Sequence, residues 1–243
     1  MKLKLLSIII FVICISLFLS LGFWQLDRAE EKDGIVNLYQ SRQKTDTESL
    51  LNFNNKNISE LFYRNYRIKG NYLNKVFLID NKIKNKMPGF NVISPFKLIS
   101  SGEVILIDRG WIPMKGTRQD IPRNFKFLNQ QNISKDVQEI DGYIYPREKS
   151  YTIGEIFTDE SWPRLIQAVN FEKIAESLEL ENVIINGVIF RLGQNNSFGF
   201  DREWKIIHMS SSKHLGYAFQ WFSMAAALII LIFIYYVRKK DGK

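Results

Sequence analysis

The sequence predicts a membrane protein in which two transmembrane α-helices, N- and C-terminal, flank a mainly antiparallel β domain of barrel-like α+β character. Three observations carry that expectation. The 243 residues are 46% hydrophobic and 24% charged, averages that suit an ordinary soluble chain, yet residues 5–26 and 215–237 hold no charged side chain at all. At 1.5 Å rise per residue each run is long enough to cross a hydrocarbon core of roughly 30 Å. Between them, short aromatic and β-branched runs are closed by Gly, Pro or Asn, the pattern of strands and turns. The intervening 187 residues amount to one ordinary domain. A multipass transporter, a large multidomain enzyme and a disordered chain are excluded.

Taken in order, the predicted parts are a cytoplasmic tail at 1–4, a span at 5–26, an extracytoplasmic domain at 27–213, a span at 214–237 and a second cytoplasmic tail at 238–243. The formal charge of +8 does not point to nucleic acid. Lys2 and Lys4 precede the first span, and Arg238, Lys239, Lys240 and Lys243 follow the second, with Asp241 the only acid in either tail. The tails thus hold +5, which leaves +3 on the domain, 27 basic against 24 acidic residues. Lys and Arg next to apolar spans are the positive-inside signature, so both termini face the cytoplasm or matrix and the domain faces the periplasm or intermembrane space. The first run is too long for the apolar region of a cleaved signal peptide, which is about 7–15 residues. The single cysteine, Cys14, forms no internal disulfide and reads as a packing residue.

From Asp27 to about Gln43, Arg28, Glu31 and Lys32 stand against Ala29, Val36 and Tyr39, which suits an amphipathic helix that continues the first span into water. Trp24 at the junction fits a membrane interface. Residues 45–59 read as a connector with a short helix. Strands are predicted near 63–72, 75–80, 90–97, 103–109, 137–145 and 183–191. One amphipathic helix is predicted at 171–178, with Phe171, Ile174, Ala175 and Leu178 on one face. Strands in succession with no helices between them favour an antiparallel, curled sheet. No Gly-rich phosphate loop follows any of them.

Chemistry has few places to reside. The only histidines are His208 and His214, and there is no Cys/His cluster, so histidine triads and zinc or copper cages are nearly excluded in the body of the domain. Asp80, Asp108 and Asp141 read as strand-end residues, and His208 as a surface or strand residue. His214 heads the second span, where helical spacing puts His214, Tyr217, Ala218, Trp221 and Ala225 on one stripe. A nitrogen ligand beside aromatic and small residues suits a flat macrocycle. An interfacial histidine that only anchors the helix fits the pattern equally. Arg109-Gly110-Trp111 reads as a strand-to-turn signal in which Arg109 covers the Trp face, or as a site where Arg109 or Arg28 meets an acidic group.

Several motifs then occur in order. They are Gly22-Phe23-Trp24-Gln25 with Arg28 and Lys32, Arg67-Ile68-Lys69-Gly70-Asn71-Tyr72, Pro88-Gly89-Phe90-Asn91-Val92-Ile93-Ser94-Pro95, Val104 through Pro113, and His214 through Phe222. Together they resemble the surfeit locus protein one family (Shy-one in fungi), assembly factors for cytochrome c oxidase, over nearly the whole chain. The resemblance implies a non-enzymatic helper of a haem-copper terminal oxidase that binds haem a transiently and assists its insertion into the catalytic subunit. It implies His214 as the axial ligand, with Tyr217 and Trp221 beside the haem. Trp24, Gln25, Arg28, Arg109 and Trp111 fall in the family's motifs and are candidates for partner or propionate contacts. Lys213 stands where many relatives have Asn. The implied partners are the oxidase catalytic subunit, haem a synthase and the lipid membrane, with no nucleic acid. The expected location is a bacterial cell membrane or an organellar inner membrane, as a multi-pass protein. An alternative is a membrane-anchored scaffold for an immature oxidase subunit that binds no cofactor.

Overall fold

The computed structural model describes residues 2–50, 57–116, 136–147, 162–179 and 184–241. The chain divides into two compact units. Met1–Gln40 with Lys205–Lys243 form one, and Ser41–Trp204 form the other.

The first unit is a pair of helices. Helix α1 (Lys2–Gln43) runs for 42 residues without a break, about 63 Å of helix and roughly twice what a bilayer core requires. The apolar run and its amphipathic continuation are therefore one element, as the pattern predicts. Cys14, Ile15, Phe18, Leu21, Gly22, Gln25, Ala29, Lys32 and Val36 are the less exposed positions of α1, a stripe at three- and four-residue spacing. The last helix, α4 (Ser211–Asp241), has 31 residues and begins where the Ser210 carbonyl accepts from the N–H groups of Lys213 and His214. Phe23 meets Phe222 edge-on, ring centroids 5.3 Å apart, and Phe18 lies 5.9 Å from Trp221. Gly22 makes this approach possible, because a Cβ there would lie 2.5 Å from the Phe222 ring. Both helices are long and apolar enough to cross a membrane. Among the described residues there are two such helices, and the protein is a membrane-anchored, two-span protein rather than a multi-pass one.

The second unit is built on an eight-stranded sheet. Its elements are β1 (Glu48–Ser49), helix α2 (Ile58–Leu61), β2 (Asn65–Tyr72), β3 (Phe77–Lys84), β4 (Met87–Leu98), β5 (Val104–Pro113), β6 (Gln138–Pro146), β7 (Arg164–Ile166), helix α3 (Phe171–Ser177) and β8 (Val188–Leu192). The strand order is β1-β2-β6-β8-β5-β4-β3-β7, and β2 also pairs with β4. That extra pairing, Gly70 opposite Leu98 through Tyr72 opposite Phe96, closes β2, β6, β8, β5 and β4 into a ring, the barrel-like form expected. Closure removes the free edges of those five strands.

Alternation along the strands explains the layers. In β2, Tyr66, Ile68 and Tyr72 are buried while Arg67 and Lys69 face out. In β5, Ile105 and Ile107 join Tyr66, Ile68, Phe96 and Phe190 in the barrel core. Leu106, on the opposite face of β5, packs instead with Phe77, Ile93, Ile166, Phe171 and Ile174. Helix α3 thus covers the outside of the sheet with the face its periodicity marks, and Asn170 caps it by accepting from the Lys173 N–H at 3.0 Å. A sheet buried on both faces at β5 gives the continuous apolar run of residues 104–107.

The pairing is mainly antiparallel, as expected, with three parallel pairs, β1–β2, β3–β7 and β5–β8. Two expectations change. The strand expected at 183–191 is shorter: Val183 lies outside the described residues, Ile184 makes only an isolated bridge to Val104, and β8 starts after Gly187. The connector's short helix is α2, capped by Asn57, whose side chain accepts from the Ser59 N–H, with 51–56 outside the described residues. Finally, β5 does not turn at Gly110. It continues to Pro113 through a register shift against β4 between Asn91 and Ile93, a β-bulge that re-aims the strand.

Candidate functional site

The helix pair carries the one histidine with ligand geometry. His214, in the first turn of α4, is 8% exposed. Its Nδ1 lies 2.7 Å from Gln25 Oε1 on α1. An amide oxygen can only accept, so this contact is a hydrogen bond when Nδ1 carries the ring proton, the form in which a neutral ring keeps its lone pair on Nε2. Nε2 is buried and has no hydrogen-bond partner among the described residues. Buried polar atoms are nearly always partnered, and a neutral imidazole nitrogen with its lone pair can accept a hydrogen bond or donate to a metal ion. The other buried residues described on the two helices are small: Ala218 and Ala225 on α4, at 2% exposure each, and Gly22 and Ala29 on α1, the latter at 3%.

The remaining candidates on these helices separate by face. Trp221 is half-buried and lies against Phe18. Tyr217 is exposed at 43% and Trp24 at 49%, as interfacial aromatics can be. Arg28 is placed over the Trp24 ring, 5.7 Å from its centroid, and pairs with Glu31, which Lys32 also holds at 3.0 Å. These two cations hold the Glu31 carboxyl below its usual range. Lys213 and His208 are exposed. The structure therefore brings Gln25, and not Trp24 or Arg28, to the histidine.

Arg109 and Trp111 belong to the β domain, where their roles are internal. Arg109 is 3% exposed. Its Nε and Nη2 both donate to the Phe198 carbonyl, at 2.9 and 2.7 Å, and Nη1 donates to Ser94 Oγ at 3.3 Å. The guanidinium sits between the Tyr72 and Phe200 rings, 5.5 and 5.0 Å from their centroids. Burial lowers the Arg109 pKa and pushes the Tyr72 phenol up to about 12. Trp111 donates Nε1–H to the Lys82 carbonyl at 3.0 Å. Beside them Gly110 has φ +114, and a Cβ there would lie 2.6 Å from the Asp201 carbonyl oxygen. That closeness lets residues 200–201 pair with β5: Trp111 N–H donates to Asp201 O, and Phe200 N–H to Arg109 O, both at 2.7 Å. The Arg-Gly-Trp motif is thus a clamp that ties the 198–201 segment to β5.

The three aspartates noted in the sequence serve separate ends. Asp108 is buried and accepts from Asn91 Nδ2 at 2.9 Å and the Gly110 N–H at 3.1 Å, and burial raises its pKa against the pull of Arg191. Asp141 takes a two-pronged bond from exposed Arg67, at 2.7 and 2.9 Å. Asp80 accepts from the Asn81 N–H. The signal that sequence reasoning lacked was the pairing of Gln25 with His214, separated by 189 positions. Its traces in the sequence are a polar side chain two residues before the first charge after the apolar run, Asp27, and the place of Gln25 in the Gly22-Phe23-Trp24-Gln25 motif.

Comparison with known proteins agrees with these motifs. A model of the SURF1 family matches residues 12–226, a range that holds every candidate residue above. The chain is 28% identical to a SURF1-like protein of Rickettsia prowazekii, over 97% of this chain and 90% of that one. It is 26% identical to a SURF1-like protein of Rickettsia bellii, over 97% and 91%. A SURF1-like protein of Monosiga brevicollis is similar at 26% identity over 38% of this chain and 40% of its own length. A match that runs from the first span through the bulged β5 to the aromatic start of α4 leaves one assignment, and the chain belongs to the SURF1 family.

Proposed function

We propose that this protein is an assembly factor for a haem-copper terminal oxidase that holds haem a through His214 and helps place it in the catalytic subunit. Family membership supports the general role. The observation that carries the haem part is the state of His214: a buried imidazole with Nδ1–H engaged by Gln25 and Nε2 left without a partner. A ligating histidine needs this arrangement, with the proton on one nitrogen fixed by an outer partner and the other nitrogen free.

The donor set fits the group. Haem iron accepts a neutral imidazole nitrogen, and the flanking aromatic and apolar side chains of α1 and α4 suit a flat apolar macrocycle. His214 would hold the iron through Nε2 and Trp221 would lie beside the macrocycle, and Nε2, covered in this structure, would have to be uncovered for binding. A single protein ligand is easier to surrender than two, since fewer bonds must break at transfer.

Purification after co-expression with haem a synthesis, followed by a visible spectrum and pyridine haemochrome typing, checks this reading. His214→Ala is expected to lose the Soret band and the bound haem a, while His208→Ala keeps both. Unchanged haem content in His214→Ala overturns the assignment. Crosslinking to the oxidase subunit with haem synthesis switched off separates a haem donor, which engages poorly, from a cofactor-free scaffold, which still engages.

A further inference from the structure

We infer that Gln25 is a positioning residue for His214: its side-chain oxygen selects the imidazole tautomer that leaves Nε2 as an electron-pair donor, and it fixes the ring plane from the opposite helix. The inference deepens the haem reading and rests on it for its consequence, although the tautomer is a property of the haem-free protein.

The geometry makes the case in three steps. First, 2.7 Å between Nδ1 and Oε1 is a short, well-formed hydrogen bond. Second, the other tautomer would put a proton on Nε2, creating a buried N–H with no acceptor among the described residues. With the Gln25 amide oriented as it is, that tautomer would also set two lone pairs, Nδ1 and Oε1, against each other. Orphaned buried N–H groups are rare because they lose their bond to water and gain nothing in its place. Third, the donor and acceptor come from different helices. Gln25 lies on the stripe of α1 that also holds Gly22 and Ala29, and His214 on the stripe of α4 that holds Ala218 and Ala225. The bond therefore sets the direction of the ring relative to both helices rather than to α4 alone.

Metal-bound histidines are commonly oriented by a carboxylate, carbonyl or water on the second nitrogen, and loss of that partner costs roughly 10–100-fold in affinity. A glutamine carbonyl can serve in the same way while adding no charge to an apolar run. The amide is the neutral side chain that accepts strongly enough to hold the imidazole proton.

The test uses the full chain with 15N-labelled histidine. With two histidines in the molecule, the His214→Ala spectrum assigns each ring. In the haem-free wild type, His214 is expected to show the Nδ1-protonated tautomer. Gln25→Leu, similar in size but without an acceptor, is expected to lose that preference and to bind haem a roughly 10–100-fold more weakly. Gln25→Glu keeps an acceptor, so it should retain the tautomer and recover binding, with the bound haem's midpoint potential shifted negative. Thermal unfolding of each variant identifies those that fold as the wild type does, and Gln25→Glu keeps the test open if Gln25→Leu does not fold. A wild-type ring protonated on Nε2, or unchanged tautomer and affinity in a folded Gln25→Leu, overturns the inference. Failure of the haem reading looks different: haem content is then indifferent to His214→Ala, whatever the tautomer.

Discussion

At the scale of single residues, chemical type alone does not separate a binding arginine from a structural one, and burial does. Arg28 and Arg109 stand in comparable motifs, yet Arg28 is an exposed helix residue over Trp24 whereas Arg109 spends its guanidinium on Phe198 and Ser94 inside the domain. Burial is costly for a cation, and here two hydrogen bonds to one carbonyl and two aromatic faces offset it. Arg109→Ala removes those bonds and opens a cavity, so the domain is expected to lose about 2–4 kcal/mol of stability. Arg109→Lys should recover little, since an ammonium cannot fork onto one carbonyl in the way a planar guanidinium does. Denaturant unfolding of the purified chain, followed by tryptophan fluorescence, checks both variants. Folded Arg109→Ala protein that keeps full stability would show that the clamp contributes nothing.

At the scale of elements, periodicity disclosed what depends on neighbours in sequence and missed what depends on closure of the fold. Helix α1, with its apolar and amphipathic halves, is legible because no proline interrupts 42 residues. The strands are legible because inward and outward residues alternate in β2, and because β5 is apolar on both sides. Strand β7 was missed since three residues, Arg164–Ile166, are too few to show a period, and its partner β3 lies more than 80 positions away. The bulge at Gly110 was taken for a turn because glycine signals either. Which one it is depends on residues 200–201, whose pairing with β5 no local pattern reveals. His214 was legible as a candidate from its place at the head of α4, but its partner Gln25 was not, because the contact needs the two helices side by side. The bulge also gives a prediction of its own. Gly110→Ala must hold φ +114 with a Cβ and push against the Asp201 backbone, 2.6 Å away. Strain of this kind is worth roughly 1–3 kcal/mol before the collision is counted. Faster proteolysis in the 198–204 segment than in wild type is the expected outcome, read by limited digestion and mass spectrometry, and an unchanged cleavage pattern would remove the bulge's claimed role.

At the scale of the molecule, the charge distribution predicts an orientation across the bilayer. A net +5 in two short tails against +3 over 187 residues is an asymmetry that insertion responds to, because Lys and Arg close to a span resist translocation. The orientation this predicts has both termini inside and the β domain outside, with His214 and Gln25 at the outer ends of the spans' apolar runs. Chain chemistry makes a clean measurement possible, for Cys14 is the only cysteine. In a Cys14→Ser background, Ser101→Cys lies in the exposed turn between β4 and β5 and should react in intact cells with a membrane-impermeant maleimide. Lys243→Cys, in the C-terminal tail, should react only after the membrane is opened. The reverse pattern would invert the topology and put the ligand pair on the inner side, where a handover at the outer ends of the spans could not take place. Replacing Arg238, Lys239 and Lys240 by Gln should weaken the retention signal of the second span and make part of the Lys243→Cys population accessible from outside. A graded response of that kind identifies the tails, rather than the β domain, as the source of the orientation, since the domain's own charge is nearly balanced.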